Sequence, residues 1–247
     1  MASDTRSVPA AVPALLSFVA GYVDSCTFLA LFGLYVAQLT GSFVLAGTEA
    51  VVHDASAPIK LLAIPVFFLG GVVTTVMVRS AWQRGGSPLP ATLALEAALL
   101  AGLFVSWLVG GPLIERGAPA VLSASLFGLS AMGVQSALVR LLIRGGPSTN
   151  VMTTNTTLLA VDVTELAMLW RARQRAAGDA DIAAEYAHIR DRLATLWPVM
   201  LGFLAGTIAG ALAYREFDLW CVLLVIAIVG ALAGWARGAD RLSRSSQ

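Results

Sequence analysis

The chain has 247 residues, of which 57% are hydrophobic and 13% are charged, with a formal net charge of +1 and a mean hydropathy of +0.79. Soluble domains carry about 25% charged residues, so this composition excludes an ordinary soluble domain and predicts an all-α integral membrane protein. The near-neutral charge excludes a basic nucleic-acid surface, and the absence of HExxH, CxxC, GxSxG and Walker motifs argues against an enzyme, a metal site or a bound cofactor.

Six apolar runs are each long enough for a transmembrane helix, which needs about 20 residues. They cover residues 11–36, 60–80, 90–110, 119–143, 196–215 and 217–236. The first run contains Asp24 and exceeds the length of a signal-peptide core, so we interpret it as an uncleaved spanning helix. Cys26 and Cys221 lie in apolar runs, and we interpret them as small buried hydrophobic residues rather than a disulfide.

Two further segments, 38–53 and 149–170, have a helical pattern but begin with polar residues. Polar groups at membrane depth are costly unless they line a cavity or pack inside the protein. We therefore predict two re-entrant or broken helical segments whose hydroxyls cap the helix starts, contact a substrate near the midplane, or do both. The candidate substrate-binding residues in these segments are Gln38, Thr40, Gly41, Ser42, Asn150, Thr153, Thr154, Asn155 and Thr156.

One stretch is plainly hydrophilic and runs from Arg171 to about Arg192. Its alanine, glutamate and arginine content favours an exposed amphipathic helix, and we treat residues 171–194 as a cytoplasmic insert. The tail from Arg237 is short and basic, and we expect it to be frayed.

The sequence carries signs of an internal duplication. The two polar motifs are separated by the same distance along the chain as Gly33 and Gly146, and residues 65–79 resemble residues 198–215 at a larger separation. The insert accounts for the larger separation. We therefore predict a first membrane repeat at residues 1–118, with segment 38–53, and a second at residues 119–247, with segment 149–170 and the insert.

The loop charges predict that the two repeats are inverted. Arginine and lysine concentrate in cytoplasmic loops. Loop 79–88 has two arginines and no acid, whereas its equivalent, residues 215–218, has one arginine and two acids. The favoured path has six crossings, two re-entrant segments and both termini in the cytoplasm; eight full crossings are the alternative.

Two blocks of sequence resemble the YoaK/DUF1275 family of bacterial membrane proteins. Gly21-Tyr22-Val23-Asp24-Ser25 and Thr40-Gly41-Ser42 are similar to its opening signature, and residues 131–140 (AMGVQSALVR) are similar to its second block, A-x-G-x-Q-N-A-x-x-R. Thr149, followed by Met152-Thr153-Thr154, resembles its T-x-x-x-T-G. This chain has Ser42, Ser136 and Thr154 where the family pattern has Asn, Asn and Gly. The resemblance implies a six-helix protein of the bacterial inner membrane and names no substrate.

Several polar residues in the apolar runs are candidates for function. Asp24 has two possible roles: a functional one, as a proton- or cation-coupling site or a ligand contact, and a structural one, as the acceptor of a hydrogen bond from a broken-helix backbone. Gln135 and Ser136 occupy about the equivalent place in the fourth helix and complete the candidate substrate site.

Two other groups of acidic residues have competing interpretations. Asp162 and Glu165 share one helix face; they line a vestibule and take part in coupling, or form salt bridges with Arg140, Arg144 or Arg171. We expect Glu96 to extend to the interface or pair with Arg84.

The leading hypothesis is a small-solute transporter or channel with a midplane site between the broken segments, in contact with the bilayer, a small solute and no nucleic acid. The alternative is a non-transporting scaffold that docks a partner through residues 171–194, and an intramembrane enzyme is the weakest reading. Small residues in Gly70-Gly71 and Gly202…Gly206…Gly210 predict close helix packing, within the monomer or in a homo-oligomer.

Overall fold

The structure is a computed structural model that describes residues 9, 11–52, 57–111, 118–143, 147–175 and 179–245. Within these ranges the regular secondary structure is entirely helical, which confirms the predicted class. The helices are α1 (Ala11–Ala30), α2 (Leu39–Val51), α3 (Ala57–Leu61), α4 (Ala63–Gln83), α5 (Leu89–Gly110), α6 (Pro119–Leu142), α7 (Met152–Arg175), α8 (Ala180–Phe217) and α9 (Val222–Ser245), with a 3-10 turn at Asp218–Cys221.

Five helical segments of the described chain are long and apolar enough to cross a membrane: Ala11–Ala30, Ile59–Gln83, Leu89–Gly110, Pro119–Leu142 and Ala180–Leu242. The last has 63 residues and joins α8, the 3-10 turn and α9. By contrast, the 13 residues of α2 span about 20 Å, less than the ~30 Å hydrocarbon core. These lengths are consistent with a membrane protein.

The first helix is shorter than predicted. It ends at Ala30, because Phe32 and Gly33 have φ angles of +56° and +81°, in the left-handed region that a right-handed helix cannot include. The Gly33 amide donates back to the Phe28 carbonyl at 2.8 Å, as in a Schellman ending. Residues 31–38 therefore form a non-helical linker between α1 and α2, which we call linker 1.

Two predicted boundaries in the second half are wrong. The hydrophilic stretch from Arg171 is not a separate helix, because its first residues end α7 and the rest begin α8, which continues unbroken to Phe217. Asp179 begins α8, and its side chain accepts hydrogen bonds from the Asp181 and Ile182 amides, as an N-cap residue does. The tail from Arg237 is helical to Ser245 rather than frayed.

An ion pair holds α7 against the first half of α8. The buried Asp162 carboxylate accepts a hydrogen bond from Arg192 Nε at 2.8 Å and a second from the guanidinium Nη2. Glu165 Oε2 lies 3.7 Å from the same guanidinium. Asp162 and Glu165 therefore interact with an arginine, as the salt-bridge interpretation expected. The partner is Arg192, however, and not Arg140 or Arg171. Arg144 lies outside the described residues, as does Gly146.

Replacing Arg192 by alanine leaves the buried Asp162 without its partner. Because the guanidinium is 42% exposed and water can replace part of its interaction, we expect a loss of about 1–3 kcal/mol in the local stability of the α7–α8 pair. Hydrogen exchange of α7 amides measures this loss. Arg190→Ala is the matched control, since Arg190 pairs only with the exposed Asp191 in the described structure and should change stability by less than about 0.5 kcal/mol. Equal exchange in the two variants would contradict the assignment.

The most extensive contact between two helices of the described chain is that of α1 with α8. Gly202, Gly206 and Gly210 of α8 face the backbone carbonyls of Ala14, Phe18 and Tyr22 of α1. A Cβ atom at any of the three would overlap a carbonyl oxygen, so glycine is what permits this separation. The contacts advance together along both helices, which therefore run in the same direction.

The pair α4 with α6 repeats this arrangement. Gly70 of α4 lies against the Ser130 carbonyl of α6, and Gly133 of α6 lies against the Phe67 carbonyl of α4. In this pair, therefore, each helix places a glycine against a backbone carbonyl of the other helix.

The two pairs correspond residue by residue. Gly206 of α8 lies against the Phe18 carbonyl of α1, and Gly21 of α1 lies against the Phe203 carbonyl of α8. Gly21 of α1 therefore corresponds to Gly133 of α6. Gly206 of α8 corresponds in the same way to Gly70 of α4.

Helices α1 and α6 meet in opposite directions. Near the start of α1, the Leu16 carbonyl accepts a hydrogen bond from Gln135 Nε2 at 2.8 Å. Near its end, Thr27 lies beside Gly128, where a Cβ atom would be 3.9 Å from the threonine methyl group. As α1 advances, the contact on α6 retreats, so the two helices are antiparallel.

Both cysteines are free, as predicted. Cys26 and Cys221 are buried, and their Sγ atoms lie 3.4 Å apart without a covalent bond.

Candidate functional site

Asp24 anchors linker 1. The side chain is 3% exposed, and Oδ1 accepts hydrogen bonds from the Val36 and Ala37 amides at 2.7 and 2.8 Å. Because these amides lie outside the helices, they have no carbonyl acceptor one turn earlier in a helix. They need a different acceptor, and a carboxyl group is a strong one. Of the two predicted roles of Asp24, the structure contains the structural hydrogen bond to the backbone beyond the helix break.

A second set of polar contacts surrounds residues 147–151, the described end of the α6–α7 connection, which we call linker 2. Asn150 Nδ2 donates to Ser136 Oγ at 2.6 Å, and Gln135 Nε2 lies 3.4 Å from Thr149 Oγ1. The Thr149 carbonyl also accepts a hydrogen bond from Ser17 Oγ of α1 at 3.0 Å. Polar side chains of α6 and α1 thus hold linker 2, as Asp24 holds linker 1.

The two linkers are joined directly. Asn150 Nδ2 donates to the Ala37 carbonyl at 3.2 Å, so a hydrogen-bonded path runs from Asp24 through Ala37 and Asn150 to Ser136. We call this set the central network; it comprises Ser17, Asp24, Val36, Ala37, Gln135, Ser136, Thr149 and Asn150. The structure therefore brings together four of the predicted site residues, Asp24, Gln135, Ser136 and Asn150.

The threonines of the two polar motifs lie elsewhere. Thr40 is in the first turn of α2, and Thr153, Thr154 and Thr156 are in the first turns of α7, as predicted for helix starts. All four are exposed, because α7 packs mainly on α8 and α2 packs mainly on α3. Thr156 Oγ1 donates to the Met152 carbonyl of its own helix at 2.8 Å. Both helices are peripheral rather than central.

The remaining motif residues lie at or near the starts of α2 and α7. Ser42 Oγ donates to the Tyr35 carbonyl at 2.6 Å, and Gly41 lies against the Tyr35 ring, where a Cβ atom would be 2.8 Å from Cδ2. Gln38 occupies the N-cap position of α2 without a side-chain capping bond. Asn155 is buried, and its Nδ2 donates to the Ser148 carbonyl at 2.6 Å.

Sequence reasoning missed Ser17, Ser148 and Thr149 as contact residues. Ser148 Oγ accepts a hydrogen bond from the Val151 amide at 3.2 Å, so this hydroxyl, not one of the predicted threonines, serves the start of α7. A serine shortly before a helical run is an available signal for this turn. Ser17 has only the weaker signal of a hydroxyl inside an apolar run.

The buried interior contains acceptors without donors. Four buried oxygens have no hydrogen-bond partner among the described residues: Asp24 Oδ2, Gln135 Oε1 and both carboxyl oxygens of Glu96. Leaving such an atom unpaired costs about 1–3 kcal/mol, so each is a place for a proton, a water molecule or a donor group of a solute.

Two open surface depressions lie away from the central network. One, of about 560 Å³, is lined by Tyr214, Arg215, Glu216, Phe217, Asp218 and Trp220. The other, of about 340 Å³, lies between the end of α4 and the start of α5. Groups of three or more metal-ligating side chains do not occur among the described residues.

Comparison with known proteins yields one match. A family model described as "Protein of unknown function (DUF1275)" matches residues 12–235, nearly the whole chain. No curated protein and no solved structure matches the chain.

Proposed function

We propose that this chain, which belongs to the DUF1275 family of proteins of unknown function, moves a small solute across a membrane through the interior that surrounds the central network. The observation that carries the proposal is the meeting of two non-helical linkers inside a bundle of apolar helices. Broken backbone at membrane depth is typical of transporter sites, where it lines the path of the solute.

The proposed architecture is a pair of inverted repeats with six crossings, in which α2 and α7 do not cross. Three observations support it. The glycine contacts of α1 with α8 recur between α6 and α4; α1 and α6, the first helices of the two repeats, are antiparallel; and each bears a polar residue, Asp24 or Ser136, that holds the following linker. Asp24 and Ser136 also correspond in position, since each lies about one helical turn after the matched glycine of its helix, Gly21 or Gly133.

The unpaired groups of the interior are acceptors, and this favours one class of solute. Asp24 Oδ2 and Gln135 Oε1 call for N–H or O–H donors. We therefore propose a small solute that donates hydrogen bonds, such as an alkylammonium ion or a polyol, rather than an anion. The sequence alone leaves this polarity open, because the positive helix starts and the Asp24 charge oppose each other.

Transport is tested in liposomes that contain the purified protein, with methylammonium and glycerol as probes. We expect flux above that of empty liposomes for at least one probe. Asn150→Ala should reduce this flux about tenfold. It removes the hydrogen bonds donated to the Ala37 carbonyl and to Ser136 Oγ, worth about 1–2 kcal/mol together, as well as the one accepted from Ser148 Oγ.

The control is Thr164→Ala, which removes an exposed hydroxyl of α7 that bonds the Ala160 carbonyl of its own helix and should keep its flux. Wild-type flux equal to that of empty liposomes for both probes would contradict the proposal. Equal flux in Asn150→Ala and the wild type would remove the central network from the path.

We propose the bacterial inner membrane as the location, with both termini in the cytoplasm. The basic residues at the α4–α5 turn, at the end of α6 and at the end of α9 then lie on one side, as the positive-inside rule requires. The 38 residues of α8 span about 57 Å, so its hydrophilic first half extends beyond the bilayer on that side.

A second candidate function, docking of a partner, is favoured by the exposure of this cytoplasmic arm. Most side chains of residues 180–194 are exposed, with Ile189 and Leu193 buried. Docking predicts that charge-reversing substitutions on the exposed face remove a partner while leaving solute flux unchanged.

A further inference from the structure

Glu96 is fully buried in α5, with 0% of its surface exposed. Neither carboxyl oxygen has a hydrogen-bond partner among the described residues. The expectation that Glu96 extends to the interface or pairs with Arg84 is therefore wrong. This carboxyl group belongs to neither the central network nor a described ion pair.

The helices around Glu96 present no charge at its level. α5 packs against α6 and α9, and antiparallel contacts set the α6 register: Gly102 lies against Phe127, Leu103 against Gly128 and Gly110 against Ala120. Glu96 lies seven residues before Leu103 on α5, and Gln135 lies seven residues after Gly128 on α6. Since the helices are antiparallel, Glu96 and Gln135 lie at the same level and on the same helix faces as that contact. Gln135 Oε1 is itself a buried acceptor without a described partner.

On the other side, α9 is apolar at this level. Trp220, just before α9, packs against Trp107 near the end of α5 with ring centroids 5.7 Å apart, and α9 then runs back along α5. This register brings its buried residues Val225 and Val229 towards the level of Glu96. The charged groups on the described parts of the packed elements lie towards the two ends of the bundle. Those nearer the end where α5 begins are Arg79, Arg84, Arg140, Arg237, Asp240 and Arg241, and Asp218 of the 3-10 turn lies at the other end.

An ionised carboxylate in such surroundings costs several kcal/mol, far more than the neutral acid. The neutral acid also carries an O–H donor, which a buried carboxylate lacks.

We propose that Glu96 is a proton-binding site, which holds its proton at neutral pH in the apolar interface of α5, α6 and α9. The depression near the start of α5 includes Ala91, which lies about 7.5 Å along the helix from Glu96. The proposal concerns the carboxyl group alone and stands whether or not the protein transports a solute.

Dicyclohexylcarbodiimide provides the test, because this apolar reagent modifies protonated carboxyl groups in apolar surroundings. The full-length protein in detergent is treated at neutral pH, and the modified peptides are identified by mass spectrometry. We expect an adduct on Glu96 in the wild type and in Glu165→Gln, a matched control whose carboxyl group is half exposed. The adduct should be absent from Glu96→Gln.

Infrared difference spectra provide a second readout. The band of a protonated carboxyl group should be present in the wild type and absent from Glu96→Gln, while the melting temperature of Glu96→Gln stays close to that of the wild type, because glutamine resembles the neutral acid. An unmodified Glu96 together with an unchanged carboxyl band in Glu96→Gln would overturn the proposal. If the Glu96 adduct forms but liposomes with the wild-type protein show no flux, only the proposed transport is contradicted.

Discussion

Gly206→Ala is expected to destabilise the protein by at least about 3 kcal/mol, the upper end of ordinary overpacking costs. The new methyl group would overlap the Phe18 carbonyl oxygen and approach its Cα atom. A backbone carbonyl cannot turn aside as a flexible side chain can, so α1 and α8 must separate along their most extensive contact. The shift is measured as the change in thermal or denaturant midpoint of the purified protein in detergent.

Gly230→Ala is the matched control for this prediction. Gly230 also lies within a helix, but a Cβ atom there meets nothing within 4 Å, so alanine should be neutral or stabilise the helix by up to about 1 kcal/mol. Similar losses of stability in the two variants would show that close approach of α1 and α8 does not decide the result. The equivalent change Gly70→Ala should resemble Gly206→Ala, because Gly70 lies against the Ser130 carbonyl.

Asp24→Ala is expected to disrupt linker 1. It removes the acceptor of the buried Val36 and Ala37 amides, at a cost of about 3 kcal/mol or more for two buried donors left without an acceptor. Faster hydrogen exchange at residues 34–40 and a lower unfolding midpoint measure this effect.

Asp24→Asn distinguishes the structural role of Asp24, as acceptor for the linker amides, from a role that needs its carboxyl group. The asparagine oxygen can still accept hydrogen bonds from the linker amides, so the fold should remain, whereas the ionisable carboxyl group and its free Oδ2 acceptor are lost. We expect solute flux to fall about tenfold or more, with an unfolding midpoint close to that of the wild type. Flux equal to that of the wild type in a folded Asp24→Asn protein would leave Asp24 with a purely structural role.

The prediction of helices from sequence succeeded where the signal was local. The apolar runs at 90–110 and 119–143 agree closely with α5 and α6, and the polar motifs do mark the starts of α2 and α7. The errors also have local causes. Gly33 lies within an apolar run and ends α1 early, and a helix-favouring hydrophilic stretch before residue 196 is continuous with the next apolar run.

The candidate site was only partly accessible from sequence. Asp24, Gln135 and Ser136 stood out because polar groups are costly in apolar runs, and in the structure all three bond the linkers of the central network. The threonines stood out for the same reason, yet they lie on exposed faces of α2 and α7. A threonine hydroxyl can bond a carbonyl of its own helix, as Thr156 does, and so needs no buried partner.

The sequence by itself determined the helical class, the apolar composition and the identity of the residues too polar to be left unpaired in an apolar interior. Only the tertiary structure decided which groups pair: Asp24 with the backbone of linker 1, Asp162 with Arg192, and Glu96 with no described group. The physical reason is the separation along the chain over which each effect acts. Hydropathy and helix periodicity act within a few turns, whereas a hydrogen bond such as that from Asn150 to Ala37 joins residues 113 positions apart, which only the packing of the helices brings together.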